Sequence, residues 1–100
     1  MTQEITVAEN QVLVKLSGSI YVEEAAQVRE SLIGYIENGH KTFIVDLGEV
    51  DYIDSSGIGT LVAIHKRALQ HGGSVIIKGL HGLVKDLFVL TRLDKVFELQ

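Results

Sequence analysis

Two short apolar runs, Thr42–Leu47 and Ser74–Lys78, flank a stretch with helical spacing from Gly57 to His71, and that order leaves few folds open. Each run is nearly continuous in its apolar character, as strands buried on both faces are in a parallel sheet. Two such strands joined through a helix require a crossover, which is right-handed in almost every known case. The chain is therefore expected to be an α/β protein. Ile58, Leu61, Val62, Ala68 and Leu69 are assigned to the core side of the crossover helix, and Gly72-Gly73 to its stop.

The flanking segments extend this unit. Val12, Val14 and Leu16 alternate with Leu13, Lys15 and Ser17, the period of a strand over residues 11 to 17. Glu4 to Val7 reads as a shorter strand, and Ala8 to Asn10 as the tight connection of an opening antiparallel hairpin, which Gly18 ends. From Glu23 to Asn38 the spacing of Ala25, Val28, Leu32, Tyr35 and Ile36 predicts a helix, with Glu23 and Glu24 at its positive end and Gly39 past its last turn. Leu83–Thr91 reads as a third helix and Val96–Leu99 as a last short strand. One hundred residues, 46% of them apolar and without proline or a linker-like stretch, suit one core and one domain over 1–100.

Several function classes lose support at this stage. The net charge of −4, with nine scattered basic residues, argues against nucleic acid, which rewards a basic stripe. The longest apolar runs, such as Ile58 to Ile64, fall far short of the roughly 20 residues a bilayer span needs, so no direct membrane insertion is expected. The chain has no cysteine and no signal-like start, which makes the cytoplasm its expected place. His40, His71 and His81 lack ligand spacing and no glycine-rich phosphate cradle is present, so neither a metal nor a cofactor is expected.

Residues 43 to 62 carry the most information. A buried strand is expected to end there in an acidic turn holding Asp46, Glu49, Asp51 and Asp54, after which Asp54-Ser55-Ser56-Gly57 opens a helix. One reading makes a hydroxyl or carboxylate of this tetrapeptide a simple helix cap. The other takes the turn as a modification site. A phosphate there would face unpaired N–H groups at the positive helix end and add about −1.5 to −2 of charge to an already acidic segment.

In this combination the chain resembles the STAS family, named for sulfate transporters and anti-sigma factor antagonists, and in particular its small stand-alone bacterial antagonists. The resemblance rests on residues 43 to 62, on Leu16-Ser17-Gly18 closing the second strand, on Gly72-Gly73, and on a helix followed by Leu93. It implies a mixed four- to five-stranded sheet with helices packed mainly on one face. It also implies a phosphorylation cycle. In such antagonists the unphosphorylated form binds an anti-sigma factor that is also its serine kinase and so releases a sigma factor; phosphorylation ends the binding and a serine phosphatase restores it. The family's phosphorylated serine directly follows the aspartate, which points to Ser55, with Ser56 as the fallback. Two departures stand out. Tyr21 occupies the place of an acidic residue found in many members, for which Glu23 or Glu24 would have to substitute, and the chain stops at Gln100, without the additional C-terminal helix of many relatives.

The expected partner surface comprises Tyr21, Asp54, Ser56 and Gly57 around the turn and Gly59, Thr60, Ala63, Ile64 and Arg67 on the outer face of the following helix, with Ile64 as an exposed anchor. His65 is expected to be a packed, hydrogen-bonded core residue. An enzyme using Ser55 or Ser56 with His65 and Asp46 or Asp54 lacks the nucleophile-elbow pattern, and a phospho-receiver using Asp46 lacks the early acidic pair that holds Mg²⁺. No catalysis is expected. The remaining alternative is a non-switching subunit of a signalling scaffold or transporter complex.

Overall fold

The first turn of the chain sets the direction of everything after it. In the computed structural model, which describes residues 1–100, β1 (Thr2–Ala8) and β2 (Gln11–Ile20) form an antiparallel hairpin around a two-residue loop, Glu9-Asn10, with Glu9 in the left-handed region at φ 57°. Helix α1 (Val22–Glu37) then carries the chain across to β3 (Thr42–Ile53), which pairs parallel to β2. Helix α2 (Ser55–Gln70) makes the second crossover to β4 (Ser74–Lys78), again parallel. Helix α3 (Gly82–Leu90) and a short 3₁₀ turn at Leu93–Lys95 lead to β5, only Glu98–Leu99, beside β4. The five strands lie in sequence order.

Helix α1 uses the residues the pattern assigned to its ends. Glu24 accepts the Tyr21 amide at 2.9 Å and so closes the N-terminus of α1. Gly39 lies just beyond the other end at φ +94°, which a side chain would resist. The helices cover one face of the sheet, where Val12, Val14, Leu16, Phe43, Val45, Leu47, Val75 and Ile77 join Ala25, Val28, Leu32, Leu61 and Phe88 in one continuous core. Leu13, Lys15, Ile44, Asp46 and Lys78 line the opposite face.

β3 differs from expectation. It does not end at Leu47 in an acidic turn but runs on to Ile53, because two irregularities each insert an extra residue into it opposite β2, between Lys15 and Ser17 and between Gly18 and Ser19. At the first of them the Gly48 amide turns to the Asp46 carboxylate at 2.8 Å. The bulges stretch the inward spacing from two residues to three, so that Leu47, Val50 and Ile53 are all buried while Glu49, Asp51 and Tyr52 face out. The acidic residues are thus spread along the length of the central strand instead of gathered in one turn.

Candidate functional site

The end of β2 and the end of β3 are neighbours, and each launches a helix. Ile20 pairs with Ile53, and the Asp54 amide donates to the Ile20 carbonyl at 3.1 Å. Tyr21 is the N-cap of α1 and Asp54 the N-cap of α2, which brings two positive helix ends side by side. Asp54 is half-buried, and its Oδ1 accepts the Gly57 amide at 3.1 Å while its carbonyl accepts the Ile58 amide at 3.0 Å. The cap is therefore Asp54. That leaves Ser55 exposed in the first turn and Ser56 half-buried behind it.

Gly57 explains how the helix end comes so close to the sheet. A Cβ built on it would lie 2.5 Å from Ile53 Cγ1 and 2.9 Å from Ile20 Cγ2, so only glycine lets α2 start against these two strand ends. Gly57 is buried and takes no part in an outer surface, contrary to the sequence reading. Ile64 requires the same correction. It is fully buried in the core, because α2 packs against both the sheet and α1 and its apolar arc is turned toward that junction, through Gly57, Leu61, Ile64, His65 and Ala68. Leu69, which the sequence assigned to the core, is 55% exposed. The outer face of α2 near the serines is accordingly made by Gly59 and Arg67, with Ser56, Thr60 and Ala63 half-buried beside them.

On the other side of Ser55 stands an aromatic pair that the sequence reading half saw. The rings of Tyr21 and Tyr52 lie 5.7 Å apart at a tilt of 40°, both exposed, with Val22 exposed next to them. No local pattern marks Tyr52, because the extension of β3 that carries it arises from bulges against β2; the Ser19↔Tyr52 pairing is what places it beside Tyr21. Glu24 is engaged by the Tyr21 amide, whereas Glu23 is exposed in the first turn of α1. Asp46 lies about 20 Å back along β3, on the open face of the sheet.

His65 is not brought to the serines. His65 is ten residues further along α2, about 15 Å from Ser55. Its Nδ1 accepts the Val75 amide at 3.0 Å and its ring packs on Phe97, with centroids 4.9 Å apart. Burial holds its pKa below the ordinary 6.5, with the Val96 carbonyl pulling weakly the other way. It is a neutral core residue that ties α2 to β4.

Comparison with known proteins agrees with this architecture. The STAS domain family model matches residues 2–100. The anti-sigma-B factor antagonist of Bacillus subtilis is 33% identical over 91 residues, covering 91% of this chain and 83% of its own length. Among solved structures, the anti-sigma factor antagonist SpoIIAA in its unphosphorylated form superposes with a TM-score of 0.88 at 19% identity, over 99% of this chain and 88% of the other. The Bacillus SpoIIAA structure in the phosphorylated form gives 0.81, also at 19% identity, over 99% and 91%. At that identity the superpositions speak for the fold; the family model and the Bacillus subtilis relative speak for ancestry. No helix is long and apolar enough to cross a membrane. The chain belongs to the STAS domain family.

Proposed function

We propose that this chain is an anti-sigma factor antagonist switched by phosphorylation of Ser55, binding an anti-sigma factor with serine kinase activity when unmodified and regaining that state through a serine phosphatase. The single observation that carries the reading is the position of Ser55: exposed in the first turn of α2, immediately after a cap supplied by Asp54. Because Asp54 already closes the helix, the Ser55 hydroxyl is not needed for folding and is free to be modified. A phosphate there meets the positive ends of two helices, so the fold tolerates it. Outward, it adds negative charge beside Asp51 and Glu23 and changes what a partner meets.

The partner surface in this reading combines the Tyr21–Tyr52 pair with Asp54, Ser55, Ser56 and the outer face of α2 at Gly59, Thr60, Ala63 and Arg67. Gly59 lets another backbone approach, and exposed tyrosines supply the large contact area typical of binding hot spots. The curated relative is named for antagonism of an anti-sigma factor, and SpoIIAA is known in both phosphorylation states, which supports the same role here. The test is affinity for the kinase-type anti-sigma partner. Native protein and Ser55→Ala should bind alike and Ser55→Asp at least about tenfold more weakly, as expected when a charge is placed unpaired in an interface. Equal binding by all three would instead favour a non-switching subunit.

A further inference from the structure

The face of the sheet turned away from the helices carries a cross-strand row in which charge alternates. The register sets Glu4 opposite Lys15, Lys15 opposite Asp46, and Asp46 opposite Lys78, so the row reads acid, base, acid, base from β1 to β4. Two residues away along the strands, Thr6, Leu13, Ile44 and Ile76 form a second row that is mainly apolar. The two rows border a shallow depression of about 240 Å³ whose lining comes from strands alone. No helix covers it.

We propose that this face binds a second copy of the chain. The reason is symmetry. A two-fold axis parallel to the strands and midway between β2 and β3 turns each row end for end. Glu4 then meets Lys78 of the second copy and Lys15 meets Asp46, so an alternating row of four is its own complement. The same axis sets Leu13 on Ile44 and Thr6 on Ile76. Two sheets packed face to face lie about 10 Å apart, a gap that lysine and acidic side chains bridge from both sides. A partner of one charge sign gains nothing from such a row, because its attraction to Lys15 and Lys78 is cancelled by Glu4 and Asp46. Within one copy the charges are held only loosely: Lys15 contacts Glu49 at 3.3 Å, but both side chains are at least half exposed and such pairs are weak.

The size of the face sets the strength. Four strands at about 4.8 Å spacing offer on the order of 300–400 Å² per copy, below the roughly 800 Å² per partner of a standard stable interface. The association is therefore weak, concentration-dependent and sensitive to salt. It leaves the helix-side Ser55 surface free, and its failure would not touch the switch.

The experiment is sedimentation velocity on the full chain between about 10 µM and 1 mM, a range suited to a weak interface. Native protein should shift from monomer toward dimer, less so in high salt. Lys15→Glu alone and Asp46→Lys alone should each weaken the dimer about tenfold or more, since each sets two pairs of like charges face to face. An equimolar mixture of the two should recover native association, because in the heterodimer every facing pair is again opposite in sign. Asp46 also accepts the Gly48 amide, so Glu4→Lys with Lys78→Glu repeats the swap at positions without that local role. A monomer throughout the range, a dimer indifferent to the single changes, or mixtures no better than their components would overturn the proposal.

Discussion

The amide of Asp54 donates to the carbonyl of Ile20 at 3.1 Å, and this bond fastens the start of α2 to the strand end that launches α1. Everything near Ser55 depends on that closeness. It brings two helix N-termini together, sets Tyr21 beside Tyr52, and leaves no room for a side chain at Gly57.

Gly57→Ala should therefore be costly although it is normally a helix-favouring change. Alanine gains about 1 kcal/mol in helix propensity over glycine, but its methyl would sit 2.5 Å from Ile53 Cγ1, and overpacking of this kind costs about 1–3 kcal/mol. Urea unfolding should show a net loss of stability. Gly59→Ala, with open space around its Cβ position, should gain stability by the propensity difference.

Ile64→Ala separates the observed orientation of α2 from the one its sequence suggested. A fully buried isoleucine cut to alanine loses about 2–5 kcal/mol, whereas an exposed one would change stability by less than about 0.5 kcal/mol. The midpoint of thermal unfolding distinguishes the two. Leu69→Ala should fall in the second class.

Those two residues show what the sequence could and could not convey. Strands, helices and their order were legible because Val12-Val14-Leu16 and Ala25-Val28-Leu32-Ile36 keep simple periods. The core side of α2 was not, because Ile58, Ile64 and Leu69 are all apolar and only the second neighbour, α1, decides which of them is covered. The second half of β3 was missed for a different reason. Its inward residues Leu47, Val50 and Ile53 are spaced by three, a period that belongs to neither strand nor helix and arises from bulges against β2. Tyr52 was lost with it. That Asp54-Ser55-Ser56-Gly57 opens a helix was readable from its capping residue types, but the choice of Asp54 over the two serines as the cap was not, since aspartate and serine both accept from unpaired N–H groups.

His65 predicts a pH dependence. Its folded-state pKa lies below the ordinary 6.5 because burial disfavours the imidazolium, and protonation at Nδ1 would also break the bond from the Val75 amide. The unfolded chain thus takes up the proton first as pH falls. The stabilisation is fully present above about pH 6.5 and is lost progressively below it, with a slope of up to about 1.4 kcal/mol per pH unit for one proton. Chemical denaturation from pH 8 to 5 should show this slope in native protein and a shallower one in His65→Phe. Parallel curves would remove His65 as the cause.

The central claim is that Ser55 carries the switch, and peptide mapping by mass spectrometry of the protein purified from its own cells tests it most directly. The account predicts a phosphate on Ser55 in part of the population, changing in extent between growth and stress, with the neighbouring Ser56 unmodified. Phosphate confined to Ser56, or none on the Asp54–Gly57 segment under any condition, would contradict it.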